Sequence, residues 1–202
     1  MAKKRREKKP NAEYELKAVP LKPTTKRVLA LDPGSTNMGI SLIAVNENLK
    51  VKVVANAIIT KPLHDLVRVN GGRSEFLTEI ARWVELYAPQ AIAAERFQTR
   101  GIKGKTVEAV SIMLGLLGGK YESLPLMLVT AGTWKNAFHR RFDVELDDLY
   151  KLTLTTPHQL DSILLGLYCM EKGMHVELDY DPFDIVKQAE ASSAVRLINK
   201  RR

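Results

Sequence analysis

The chain of 202 residues has a single cysteine, Cys169, so no disulfide can close within it. Cys169 lies in the apolar run Ile163 to Met170 and reads as a buried thiol in a reducing compartment. No apolar run approaches the roughly 18–20 residues needed to cross a bilayer. The opening Met1-Ala2-Lys3-Lys4-Arg5-Arg6 leads into no apolar segment, which argues against a secretory leader. No segment repeats along the chain. These absences exclude a disulfide scaffold and a membrane-spanning protein, and the expected location is the cytoplasm. What remains, 45% hydrophobic and 27% charged, is enough apolar material for one domain with decorated ends.

The net charge of +8 is unevenly placed. Residues 1–26 carry +6 and residues 196–202 carry +4, which leaves −2 for everything between. Within that middle, residues 95–141 hold +5 and residues 142–195 hold −8. A basic arm, a basic middle and a basic tail point to a polyanionic partner, although charged ends also serve solubility. What sets this chain apart from a merely basic protein is the acids lying among the bases.

Residues 1–26, with Pro10, Pro20 and Pro23 and little periodicity, read as a basic flexible arm. Strands are expected over Lys26–Leu31, Met38–Asn46 and Lys50–Thr60, a three-strand meander, followed by a loop over Lys61–Gly72. Phe76, Leu77, Ile80, Trp83, Val84 and Tyr87 recur at helical spacing, and Pro89 closes that helix. Gln90–Glu95 is short, apolar and flanked by helices, so it reads as a buried parallel strand. Thr99–Lys105 is a loop, and Thr106–Leu117 a helix stopped by Gly118-Gly119. A fifth strand, Leu126–Val129, and a short helix, Ala131–Arg140 with Trp134 facing inward, come next. Residues 142–156 are acidic and read as irregular. A core helix runs from Pro157 to Gly173, and the tail from Asp184 has the makings of an accessory helix. The expected fold is α/β: a mixed five-stranded sheet, three antiparallel strands then α-β-α-β-α, flanked by helices. The division is an arm (1–26), a body (27–173) and a C-terminal extension with a basic end (174–202).

Four residues stand out. Asp32 ends the first apolar strand, and the turn Pro33-Gly34-Ser35 and Gly39 follow, a place suited to a metal ion, a phosphate or simply a turn. Glu95 ends the Ala-rich strand. His158 and Asp161 stand three apart in the first turn of the last core helix, hence on one face, where Asp161 would also gain from the helix dipole. If the first strand is central and the Glu95 strand adjoins it, all four converge. Three carboxylates and an imidazole in one place repel one another unless a cation is present. An oxygen-rich set of this kind suits Mg²⁺ or Mn²⁺. Acids for metals with bases around them for a polyanion is the makeup of a phosphodiesterase.

Asp32-Pro33-Gly34 with Gly39, the Glu95 strand end and His158-Gln159-Leu160-Asp161 together resemble the bacterial Holliday-junction resolvases of the RuvC type, within the ribonuclease-H-like nucleases. The order and spacing match over residues 27–173. The resemblance implies a homodimeric endonuclease using two Mg²⁺ ions, for which Mn²⁺ can substitute, to nick two opposing strands of a four-way DNA junction. Asp32, Glu95 and Asp161 would be metal-binding catalytic carboxylates. The family's fourth position is acidic in some members and His in others, and His158 takes it here. Many members carry an aromatic three residues after the strand-end Glu; here Phe97 follows Glu95 by two. Arg96, Arg100, Lys103 and Lys105 are candidates for holding the DNA backbone together with Phe97, and Lys135, Arg140 and Arg141 rank second. The acidic stretch Asp143 to Asp148 reads as a cover for a helix or a face for a basic partner surface, with Asp148 kept as a further metal candidate.

Three rivals stand beside this reading. An Asp-x-Gly turn also opens the phosphate-cradling lobe of actin-like kinases, but that fold needs a second lobe. A nuclease of the same fold could act on RNA–DNA hybrids or other branched DNA. A non-catalytic nucleic-acid-binding module would not keep acids that repel phosphates. Paired nicks call for a dimer, and Val110, Met113, Leu114 and Leu117 offer one apolar helix face for it, or else plain core packing.

Overall fold

The computed structural model describes residues 16–34, 36–60, 75–97 and 104–193. In chain order they form β1 (Lys26–Pro33), β2 (Asn37–Val45), β3 (Val51–Thr60), α1 (Glu75–Tyr87), β4 (Ala91–Arg96), α2 (Lys105–Lys120), β5 (Leu126–Thr130), α3 (Ala131–Phe142), α4 (Leu146–Leu152), α5 (Pro157–Gly173) and α6 (Pro182–Ser192). The strands make one sheet in the order β3-β2-β1-β4-β5. β1 pairs antiparallel with β2, and β2 with β3, while β1–β4 and β4–β5 are parallel. This is the mixed, helix-flanked sheet the sequence calls for.

β1 is central and buried on both faces, which is why it reads as an almost unbroken apolar run. The pleat sends alternate side chains to opposite faces. Leu29 and Leu31 join the core beneath α1 and α2, together with Ile92 and Ala94 of β4. Val28 and Ala30 join the second core with Ala91 and Ala93, under α3, α5 and α6. α5 lies directly on that second face. A Cβ on Gly166 would stand 2.2 Å from Ile43 Cδ1 and 2.9 Å from the Ala30 Cβ, so glycine there lets the helix settle onto the strands.

The structure departs from expectation in several places. α2 runs through Gly118 and Gly119 to Lys120, and the Tyr121 N–H caps the Leu117 carbonyl. Glycine costs a helix only about 1 kcal/mol per position, which burial of Leu114 and Leu117 offsets. Val110, Met113, Leu114 and Leu117 are buried against the chain's own sheet, so they belong to the core and are not available as a dimer face. The acidic stretch is not irregular: α4 forms there, with Asp147 and Asp148 in its first turn, where the dipole favours them, and Leu149 fully buried. α6 begins at Pro182, earlier than expected, because Asp181 caps it by accepting the Phe183 N–H at 3.0 Å.

The described part of the arm lies on the body: Leu16, Val19 and Leu21 pack against the first core, and the Tyr87 hydroxyl donates to the Lys17 carbonyl at 3.1 Å. Ile185, Val186 and Ala189 of α6 are buried in the second core. The expected loops at Lys61–Gly72 and, for the most part, Thr99–Lys105 lie outside the described residues, as do Arg100 and Lys103. Cys169 is buried, and burial pushes its thiol up to about 12. Among the described residues no helix is long and apolar enough to cross a membrane.

Candidate active site

The pleat that sorts the core also places the acids. Residue 32 has the parity of Val28 and Ala30, and residue 95 that of Ala91 and Ala93, so both carboxylates leave the sheet on the α5 side. Leu31 and Ala94 are the last residues that β1 and β4 pair with each other. Asp32 and Glu95 therefore stand one step beyond, at adjoining ends of parallel strands. The Pro33-Gly34 turn closes there with the Gly34 N–H on the Asn37 carbonyl at 2.8 Å. A Cβ on Gly34 would lie 2.7 Å from that oxygen, so the turn needs glycine.

α5 supplies the other two groups from its first turn. Thr156 and Gln159 form a reciprocal capping box, with Pro157 at the helix start. Gln159 is buried and its amide donates to Asn56 Oδ1 at 2.7 Å, while Asn56 donates to the Ala189 carbonyl at 2.8 Å. This polar chain ties the helix start to β3 and α6. Gly39, paired with Asp32 across β1 and β2, completes the docking. A Cβ on it would fall 1.8 Å from the His158 carbonyl oxygen. Only a bare α-carbon admits the helix backbone at this height.

The groups then pair off. His158 Nδ1 is 2.5 Å from Asp32 Oδ2. The buried indole of Trp134 donates to Glu95 Oε2 at 2.9 Å. Asp161 is held at both oxygens, by Lys135 Nζ on Oδ2 at 2.7 Å and by the Tyr150 hydroxyl on Oδ1. Asp32 and Asp161 are only 6% and 8% exposed, so water screens them poorly.

The electrostatics match a crowd of like charges. Burial first, then the charge of Asp32, pushes Glu95 up to about 7, against the Trp134 hydrogen bond and the Lys135 charge. Burial raises Asp161, opposed by Lys135 and Tyr150. The Asp32 hydrogen bond raises His158, with Asp161 and Glu95 adding to it. Burial and the bond to Asp161 raise Tyr150, which stays a protonated donor. All four predicted groups thus act on one another.

In kind, three carboxylates and an imidazole fit hard divalent cations. As they stand, no three His, Cys, Asp or Glu groups among the described residues are close enough to hold one ion together. The Lys135 ammonium, on Asp161, occupies the position a cation would compete for. Ion entry would have to move it.

Of the expected DNA contacts, Arg96 and Lys105 are exposed and Phe97 is 39% exposed, all flanking the Glu95 strand end or the α2 start. Arg140 is exposed. Arg141 is committed elsewhere, paired with Glu171 and stacked on Phe142 and Tyr180. Asp148 pairs with Lys151 on the surface at 2.9 Å. The Trp134 and Tyr150 contacts were not foreseen. Tyr150 shares helical spacing with Leu146 and Leu149, a signal present in the sequence but masked by the acids around it.

This strand order, with acids at the ends of β1 and β4 and in the first turn of the last core helix, defines a ribonuclease-H-like domain. No family model matches the chain. A curated crossover junction endodeoxyribonuclease RuvC of Pseudarthrobacter chlorophenolicus is 36% identical over 73 residues, an aligned stretch spanning about a third (36%) of either chain. A RuvC of Thermus thermophilus solved with a Holliday junction substrate superposes with a TM-score of 0.54 at 20% identity, over 74% of this chain and 97% of that one. A second Thermus thermophilus RuvC structure gives 0.56 at 17% identity over the same shares. The fold is that of the RuvC type, and the resemblance read from the sequence is borne out at that level.

Proposed function

We propose that the chain is a divalent-metal-dependent endonuclease that resolves four-way DNA junctions by paired symmetric nicks. The observation that carries this reading is the convergence of Asp32, Glu95, Asp161 and His158 on one side of a RuvC-type sheet. Among the described residues, each acid there is matched by groups that an arriving cation can replace or work beside. Asp32 and Glu95, fixed at neighbouring strand ends, and Asp161 and His158, fixed by the capped start of α5, would hold two Mg²⁺ ions, or Mn²⁺ in their place. When bound, such ions polarise a phosphate and acidify a water. His158 serves as a ligand or holds a proton next to Asp32. Arg96, Phe97 and Lys105, with Arg100 and Lys103, would hold the DNA beside the acids. The body over 27–173 carries the chemistry, and the basic arm (1–26) and the end of the extension (174–202) add phosphate contacts in the cytoplasm.

Two opposing nicks require two sites, so the working species is a homodimer. Its face is not the buried side of α2. The test is cleavage of matched four-way, flap, linear duplex and RNA–DNA hybrid substrates with Mg²⁺. The expected result is paired nicks in the four-way junction at rates well above the rest. Equal cutting of linear duplex would sink the resolvase reading, and preferential cutting of the hybrid would assign the site to RNA strands. Light scattering at working concentration should give a dimer.

A further inference from the structure

The two donors on Asp161 are not alike. Tyr150 comes from α4, is half-buried against the second core, and reaches Oδ1 with a neutral hydroxyl. Lys135 comes from α3 on a flexible stem, is 35% exposed at its side chain, and brings a full positive charge to Oδ2. A charged, mobile group competes with a metal ion for the oxygen it holds. A neutral hydroxyl fixed by its ring leaves a carboxylate free to ligate through the other oxygen, and orients it for doing so.

We propose that Tyr150 is the positioning residue of the metal site: it holds Asp161 Oδ1 throughout, while Oδ2 exchanges between Lys135 and the divalent ion. This rests on the reading of Asp161 as a metal ligand. It assigns α4 a purpose beyond packing. The short helix turns an otherwise apolar face toward the site and delivers one hydroxyl to the carboxylate that the start of α5 presents. It also predicts opposite signs for the two donors. Loss of the hydroxyl frees the Asp161 rotamer and weakens ion binding, whereas loss of the ammonium removes a competitor.

The experiment is a calorimetric titration of the full-length, DNA-free protein with Mn²⁺ at pH 8, comparing wild type, Tyr150→Phe, Lys135→Met and Asp161→Asn. Thermal melts and junction binding in EDTA serve as folding controls. Tyr150→Phe keeps the ring and should weaken Mn²⁺ binding about tenfold. It should raise the Mg²⁺ concentration for half-maximal cleavage equally, with the rate at saturating Mg²⁺ within a few-fold of wild type. Lys135→Met should bind Mn²⁺ at least as tightly as wild type. A Tyr150 that only packs would lower the melting temperature and leave the Mn²⁺ isotherm unchanged, and that result overturns the proposal. So does a weakening of Mn²⁺ binding in Lys135→Met as large as that in Tyr150→Phe. Absence of Mn²⁺ uptake by folded wild type, or full uptake by Asp161→Asn, instead removes the metal reading on which the proposal stands.

Discussion

The two ends of α5 are made from the same chemical groups and follow opposite rules. At the far end, Glu171 has its own cation, Arg141. That guanidinium is stacked 4.8 Å from the Phe142 ring and 4.9 Å from the Tyr180 ring, and it also donates to the Leu178 carbonyl at 2.5 Å. At the first turn, three acids share one lysine and one histidine; burial and the charge of Asp32 raise both Glu95 and Asp161. The far end closes on itself and serves the fold. The near end is left short of positive charge in a place where water cannot make up the difference, so it favours whatever cation arrives.

The largest expected effect separates these ends by function. Asp32→Asn keeps the size and the turn but removes a charge from the near end. Cleavage should fall by about 10³-fold or more, roughly 4 kcal/mol of barrier, while junction binding without divalent metal persists. Glu171→Gln at the far end should leave cleavage within a few-fold. A cleavage-competent Asp32→Asn enzyme would show that the near end is not the active site.

Next come the two glycines that let α5 lie close to the sheet. At Gly39 the obstacle to a methyl is the His158 backbone at 1.8 Å, which cannot yield without moving the start of α5. Gly39→Ala should cost about 3 kcal/mol or more and remove cleavage with it. At Gly166 the nearest atom is the tip of Ile43 at 2.2 Å, with the Ala30 Cβ behind it at 2.9 Å, and a rotamer change relieves part of that. Alanine also favours the helix by about 1 kcal/mol. Gly166→Ala should therefore lose only about 1–2 kcal/mol in urea melts and keep its cleavage. Equal losses of activity in both would mean that the whole of α5, and not its first turn, sets the site.

Much of this was legible beforehand, for local reasons. β1 and β4 show as short apolar runs because both faces are buried, and an acid that ends such a run is conspicuous. The start of α5 shows because Pro157 opens the helix and an apolar face follows it. Contacts between distant segments left no such mark. Trp134 meets Glu95 across 39 residues, and Tyr150 meets Asp161 across a helix end and a turn. Lys135 looks like any solvated lysine until α3 is laid beside α5. The face of α2 with Val110 and Met113 is apolar whether it covers a partner or its own sheet, and only the sheet order decides for the core.

The smallest effect is also the most discriminating, because the two ends should shift stability in opposite directions. Glu95 titrates near 7 in the folded protein against 4.5 for the free side chain. Between those values the folded state holds more protons than the unfolded one. The contribution of Glu95 to stability without metal therefore falls as pH rises from about 4.5 to about 7, and is flat above. Glu95→Gln removes that loss and can still accept the Trp134 N–H. In EDTA at pH 8 the variant should be more stable than wild type by on the order of 1–3 kcal/mol, discounted for the partial exposure of the carboxylate. The gap should close below about pH 4.5, and added Mg²⁺ should raise the melting temperature of wild type more than that of the variant. Glu171→Gln loses the ion pair with Arg141, and should be less stable by about 0.5–1 kcal/mol at pH 8. Should Glu95→Gln also be destabilised in EDTA, the near end would be an ordinary satisfied cluster, and its shortage of positive charge could not be what draws a metal ion to it.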